Sequence, residues 1–225
     1  KAIEIYEPLL NLNLVQNVRC DVILNYAYCL SGLKQFDKAL NLLQRLESEI
    51  VNPVYMELSN NLRGDIYFQL GQFYSAEKAY KIAMQAFPDN EGIRFSLFST
   101  YLALDKEDEA LELLKAITPE SDYYSKYICY WLEYLLANEH YEEFDSFVED
   151  QKLEETIPNL DIIDIRIRRA LHSGDFDKTS QLLQQLKIES PQLKYYKALV
   201  LINAGNEKQA DSLLASLVTS ARPEI

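Results

Sequence analysis

Apolar residues recur three and four positions apart along almost the whole chain, and each run breaks at a short polar or glycine-bearing turn. The stretch GDIYFQLGQFYSAEKAYKIAMQAFP, residues 64–88, shows the pattern most clearly. Its marks are Gly64, Tyr67, Gly71, Phe73, Ala76, Tyr80 and Ala83. That spacing predicts an amphipathic helix on each side of Gly71. Glycine there supplies the backbone conformation that ends the first helix. Small residues at 64, 76 and 83 let the two helices approach, and Tyr67 and Tyr80 fill the wider gaps. Pro88 cannot continue a helix and is expected to end the second one.

The same offsets land mostly on apolar or small residues elsewhere, with Glu107, Gln151 and Glu207 as departures. Shifted back, they meet Ala27, Leu30, Phe36, Ala39, Leu43 and Leu46; shifted forward, Phe98, Tyr101, Ala110, Leu114 and Ile117. Further copies carry Leu132, Leu135, Tyr141, Phe144, Val148 and Gln151, then Ile167, Ala170, Phe176, Thr179, Leu183 and Leu186, then Ala198, Leu201, Ala210, Leu214 and Leu217. The turn position falls at Lys34, Gly71, Asp105, Glu139, Gly174 and Gly205. A period of about 34 residues means an array of helical hairpins. An aromatic residue two positions after the turn starts the second helix at Phe36, Phe73, Tyr141 and Phe176. Pro191, like Pro88, is expected to end a second helix.

Composition agrees with this reading. The 225 residues are 48% hydrophobic and 25% charged, with 16 Tyr and 9 Phe, which suits a folded chain with a sizeable core. Only 6 Gly and 7 Pro punctuate it, which suits helices with short turns better than sheets. Charge narrows the partners. With 22 basic and 35 acidic residues the net charge is −13, so nucleic acid and anionic membrane surfaces are disfavoured. A partner with basic and apolar residues is favoured. No apolar run reaches membrane-spanning length, so no membrane insertion is expected.

Cys20, Cys29 and Cys129 are read as buried thiols in a reducing compartment. Cys20 and Cys29 would lie about 13 Å apart on one helix, too far for a disulfide. The opening KAIEIYEPLL starts inside an amphipathic helix, so the chain is expected to be a piece of a longer protein. A cytoplasmic location is expected, and an exported one is left open.

On these marks the chain resembles the tetratricopeptide repeat family. The unit from Glu57 to Asn90 matches its signature at nearly every position and departs at Asn60. The resemblance is strong over residues 20–117 and 160–218. It is weaker over 123–157, where Phe144 takes a place usually held by alanine and is expected to push its helices apart. Residues 1–13 resemble the second helix of an earlier unit, with Ala2, Tyr6 and Leu9 on the marks; Pro8 there implies a kink or a late helix start. The implied fold is all-α, a right-handed superhelical solenoid forming one array. Its units are 20–53, 57–90, 91–122, 123–157, 160–190 and 191–222, joined by short loops such as SEIVNPVY and EETIPNLD.

In this family the first helices line a concave groove. The resemblance places Leu24, Tyr28, Leu58, Asn61, Asp65, Phe68, Phe95, Ser99, Leu102, Lys126, Cys129, Glu133, Arg168, Tyr195 and Leu199 there, about half of them exposed. Tyr28, Phe68 and Phe95 are expected to form an apolar strip along that surface. The chaperone-tail clamp of some family members is not expected, because the matching positions, Leu24, Tyr28, Leu62, Gly92 and Ser96, cannot hold a carboxylate by charge. The implied function is a non-catalytic scaffold binding a peptide or helix of a partner protein in the groove. The alternative is a structural or regulatory segment of a larger assembly, as in secretion or polysaccharide-export machines, acting through its ends or convex face.

Catalysis, cofactor and metal binding have little footing in the residues. The two histidines, His140 and His172, are read as lining turns. No cysteine pair has zinc spacing and no phosphate loop is present. The pairs Glu142–Glu143, Glu149–Asp150 and Glu154–Glu155 read as solvated helix faces. Arg166, Arg168 and Arg169 beside Asp161 and Asp164 form either a carboxylate-binding patch or salt pairs within a helix, Asp164 with Arg168 above all.

Overall fold

The structure is a computed structural model that describes residues 2–47, 52–153, 160–186 and 189–220. Among these residues every regular element is an α-helix. A leading helix, α1 (Ala2–Leu9), precedes α2 (Gln16–Gly32), α3 (Phe36–Glu47), α4 (Pro53–Gln69), α5 (Phe73–Ala86), α6 (Glu91–Ala103) and α7 (Glu107–Ala116). Then come α8 (Tyr124–Ala137), α9 (Tyr141–Asp150), α10 (Leu160–His172), α11 (Phe176–Gln185), α12 (Pro191–Asn203) and α13 (Glu207–Ser220). The residues form two compact units, 1–127 and 128–225. Residues 48–51 of the junction SEIVNPVY, residues 154–159 of EETIPNLD with the Glu154–Glu155 pair, the Ala2 side chain and the end of the last unit lie outside the described residues.

Six hairpin turns share one backbone design. The residue at each turn position has positive φ: Lys34 (59°), Gly71 (71°), Asp105 (54°), Glu139 (61°), Gly174 (72°) and Gly205 (73°). At Gly71, the amide of Gln72 donates to the Tyr67 carbonyl (2.8 Å) and that of Gly71 to Phe68 (3.0 Å). This is a Schellman closure, which satisfies carbonyls that the helix end leaves over. The matching long bonds are Gln35 to Leu30, Lys106 to Tyr101, His140 to Leu135, Asp175 to Ala170 and Asn206 to Leu201. Three units therefore carry a side chain in a left-handed conformation that glycine takes without strain.

One test follows from these turns. Nothing lies within 4 Å of a Cβ built on Gly71, so a substitution there is opposed by backbone strain alone. Gly71→Val is expected to cost about 1–2 kcal/mol and Glu139→Gly to gain up to about 1 kcal/mol, read from denaturant midpoints. A neutral Gly71→Val would mean that the turn does not hold positive φ in solution.

Many of the repeated marks lie in the hairpin interiors, while Leu201, Leu214 and Leu217 of the last hairpin are half-buried. In the first unit Ala27, Leu30, Ala39, Leu43 and Leu46 are buried with Ile23, Leu62 and Ile66. In the second, Ile167 and Leu183 are buried with Ile163, Leu182, Leu193 and Tyr196. Gly64 meets the Tyr80 ring across the α4–α5 interface: a Cβ on Gly64 would stand 2.4 Å from its nearest ring carbon. Thr179 occupies a small-residue mark, and its hydroxyl donates to the Asp175 carbonyl at 2.8 Å, so its burial leaves no unmet donor. Phe36, Phe73, Tyr141 and Phe176 each open a second helix, as their spacing predicts.

Three expectations are overturned. Pro191 does not end a second helix; α11 stops at Gln185 and Pro191 opens α12 behind the Ser190 cap, whose Oγ accepts from Leu193 N. Proline suits a first helical position because it lacks the N–H that would go unbonded there. Pro8 causes no late start, for α1 runs through it and ends one residue later. Cysteine burial is uneven, since Cys20 is buried while Cys29 and Cys129 are half-buried. Phe144 is buried at 2% exposure and lines a cavity of about 480 Å³ with Val148 and Ala170.

Candidate partner-binding surface on the first helices

Alternate helices build the surface: α2, α4 and α6 in the first unit, and the C-terminal part of α8 with α10 and α12 in the second. In the first unit, Leu24 and Leu102 are buried, at 5% and 7% exposure, because their spacing turns them into the hairpin interior. They offer a partner almost nothing. Leu58, Asn61, Asp65 and Ser99 are half-buried. Tyr28 stands out at 39% exposure. Burial, then the Asp65 and Glu57 carboxylates, push its phenol pKa up, and a hydrogen bond from Asn61 opposes them. Asp65 accepts from the Tyr80 hydroxyl at 2.7 Å, and burial raises its carboxyl above the ordinary range. Burial does the same to Glu57, whose hydrogen-bond partner is the Asn90 amide at 3.4 Å.

Tyr28, Phe68 and Phe95 do not form an equal strip. Phe68 is half-buried, edge-on to Phe73 at 5.2 Å. Phe95 is half-buried in an aromatic cluster, 5.2 Å from Tyr127 and 5.7 Å from Tyr123, with Phe98 behind. Lys126 is exposed, its ammonium 4.5 Å above the Tyr123 ring. The two phenylalanines lean into the core because inward and outward positions of a first helix are only one residue apart around its circumference.

The second unit contains a cavity of about 500 Å³ between α8, α10 and α12. Cys129, Tyr130, Leu160, Ile165, Leu186 and Leu193 supply its apolar wall, and Glu133, Asp161, Asp164, Ser190 and Gln192 its polar rim. Tyr130 and Leu160 are 48% and 49% exposed at its mouth. Tyr195, on α12, is 47% exposed and Leu199 half-buried. Burial, followed by the Asp161 and Glu133 charges, raises the Cys129 thiol to about 11.

Arg168 does not wait for a foreign carboxylate. Its guanidinium forks onto Glu133, with Nη1 at 3.1 Å from Oε2, and its Nε donates to Asp164 at 3.1 Å. The within-helix pair with Asp164 is therefore present, and Gln192 Nε2 joins Asp164 from α12 at 3.1 Å. Arg169 donates to Asp145 and lies over the Tyr141 ring at 4.6 Å. The arginines thus hold neighbouring helices together, and the patch reading of DIIDIRIRRA gives way to internal pairing.

The histidines sit at turns. His172 ends α10 and its Nε2 is 2.6 Å from the Tyr141 hydroxyl, while His140 precedes α9 and meets the Tyr134 ring edge-on. Among the described residues, no cluster of His, Cys, Asp and Glu is placed to hold a metal, and no helix is long and apolar enough to cross a membrane. Glu142, Glu143, Glu149 and Asp150 are exposed on α9.

Tyr130, Leu160, Asp161, Ser190 and Gln192 were not legible as surface residues from the repeat offsets alone. Tyr130 carried a signal: it lies four residues after Lys126 and three before Glu133, hence on their face. Leu160, Asp161 and Ser190 stand at helix starts, outside the repeat's spacing marks.

A family model described as a tetratricopeptide repeat-like domain matches residues 22–98. No curated protein matches the chain. A crystal structure of a tetratricopeptide repeat protein from Parabacteroides merdae ATCC 43184 superposes with a TM-score of 0.60 at 11% identity, over 99% of this chain and 86% of the other. A structure of Naa15/Naa10 bound to HypK-THB gives a TM-score of 0.47 at 13% identity, over 97% of this chain, which spans 34% of the other. The chain is an all-α set of tetratricopeptide-repeat-like hairpins, similar in sequence to that family over residues 22–98 and in fold over nearly its whole length.

Proposed function

We propose that the chain is a non-catalytic scaffold that binds a peptide or helix of a partner protein along its first helices. Repeats of this kind are generally non-catalytic and serve protein interaction. The observation that carries the reading is the cavity between α8, α10 and α12, apolar inside, with Tyr130 and Leu160 exposed at its mouth. Preformed helices hold these groups in place before binding, which lowers the ordering cost of association. Exposed tyrosines bring large contact area with few rotatable bonds, and such anchors concentrate binding energy.

The second reading is a segment of a larger assembly that docks by its second helices. Tyr74 favours it: the ring is 73% exposed on α5, with the Lys106 ammonium 5.7 Å away. A photo-crosslinking amino acid placed singly at Tyr28, Tyr130 and Tyr74 separates the two. Partner adducts at Tyr28 and Tyr130, absent at Tyr74, are expected. Adducts at Tyr74 alone would transfer the function to the second-helix face.

A further inference from the structure

Resting on that reading, we infer that the polar chain Glu133–Arg168–Asp164–Gln192–Tyr196 is a strap on the α8–α10–α12 cavity, which holds the three helices at their present spacing and is released when a partner segment enters. The chain is continuous from helix to helix. Arg168 of α10 forks onto Glu133 of α8 through Nη1 and Nη2, and its Nε donates to Asp164 one turn earlier on α10. Gln192 of α12 donates to Asp164 at 3.1 Å and to the Tyr196 hydroxyl at 2.6 Å. Glu133, Asp164 and Gln192 also line the cavity, so the bonds that join the helices are part of its wall. Glu133, Arg168 and Tyr196 each lie four residues, about one turn, beyond Cys129, Asp164 and Gln192, which sets the strap toward the C-terminal ends of the helices.

Two features make this a releasable strap rather than a fixed brace. The Glu133 and Arg168 side chains are part-exposed, and an ion pair in contact with water contributes little net stability. Its fork still fixes the distance between α8 and α10, because paired donors and acceptors are directional. The hairpin core is separate: Ile163, Ile167, Leu182 and Leu183 are buried without taking part in the strap, so its release leaves them packed. Behind the strap stand Cys129, Ile165, Leu186 and Leu193. An apolar partner residue seated on that wall binds the wider arrangement better than the strapped one, and such differential contact is what shifts an equilibrium between two arrangements.

Cys129, in the cavity wall, reports the strap directly. Alkylation of Cys129 by N-ethylmaleimide is followed by mass spectrometry on the whole chain, with Cys29 in the first unit as reference. Arg168→Met removes the fork, and Gln192→Ala severs the α10–α12 link without a change of charge. Each is expected to speed Cys129 by about threefold or more and to leave Cys29 unchanged, since thiol reactivity follows exposure. Electrostatics alone predicts the opposite for Arg168→Met, because loss of a nearby cation holds the thiol more firmly protonated and slows it. Lys78→Met, the same charge change on α5, is expected to leave both rates as they are. In native lysate, both strap variants are expected to raise partner adducts at a crosslinker placed at Tyr130 by about twofold or more and not at one placed at Tyr28.

A Cys129 rate that stays the same or falls in both variants would overturn the inference, for the chain would not set the width of the cavity. Equal acceleration of Cys29 would overturn it too, as general loosening rather than local release. Faster Cys129 with unchanged adducts at Tyr130 would remove the link between the strap and partner entry. The scaffold reading would survive each of these if adducts still formed at Tyr28 and Tyr130. Faster Cys129 with no adduct at either position would keep the strap as a control of cavity width and end the scaffold reading instead.

Discussion

Gly64→Ala is expected to destabilise the first unit by about 2 kcal/mol, the opposite of what alanine does in an ordinary helix. In an exposed helix interior the change gains about 1 kcal/mol by propensity. Here the added methyl would stand 2.4 Å from one Tyr80 ring carbon and 2.5 Å from the next. The ring has little freedom to retreat, being 2% exposed with its hydroxyl bound to Asp65 at 2.7 Å. Overpacking of this kind costs about 1–3 kcal/mol before any lost hydrogen bond is counted. A cycle with Tyr80→Leu isolates the contact. In that background Gly64→Ala should become neutral or stabilising, read from urea midpoints by circular dichroism. A raised midpoint for Gly64→Ala alone would show that α4 and α5 are not in close contact.

Phe144→Ala is expected to cost the second unit about 3–5 kcal/mol, the range for emptying a core site of an aromatic ring. The repeat resemblance gives this position to alanine, and on that ground the change should be harmless or helpful. The structure says otherwise. Phe144 is among the largest fully buried side chains and forms, with Val148 and Ala170, the apolar part of a cavity of about 480 Å³ that also reaches Arg166 and Arg169. Removing the ring would enlarge that space and uncover the guanidinium of Arg166, itself 5% exposed. The single tryptophan, Trp131, lies in this unit at 4% exposure, so its emission follows the transition. A gain in stability would mean that Phe144 is a strained wedge and that the helices close around alanine.

Much of the fold was written locally. The turn residues Lys34, Gly71, Asp105, Glu139, Gly174 and Gly205 all carry positive φ, and the four aromatic helix starts fall where their spacing put them. Helix periodicity and turn chemistry depend on a few neighbouring residues, so they can be read without knowing what lies across the interface. Pro191 shows the limit. Proline forbids a helix interior but fits a first turn, and only the Ser190 cap next to it decides which applies.

The surface was less legible, and the reason is geometric. A helix face is defined by position around a circumference, and a step of one residue is about 100°. The family resemblance placed Leu24, Phe68, Phe95 and Leu102 on the groove face with about half of that face exposed, and in the fold Leu24 and Leu102 are buried while Phe68 and Phe95 are half-buried. Glu133 and Arg168, 35 residues apart, look like separate surface charges in the sequence and are one ion pair in the fold. The sequence by itself determined the helices, their turns, their repeat and the acidic balance, since each is a property of nearby residues or of their sum. Tertiary structure alone decided which carboxylates find an arginine and which side chains wall a cavity, because electrostatic pairing and burial depend on distances that only packing sets.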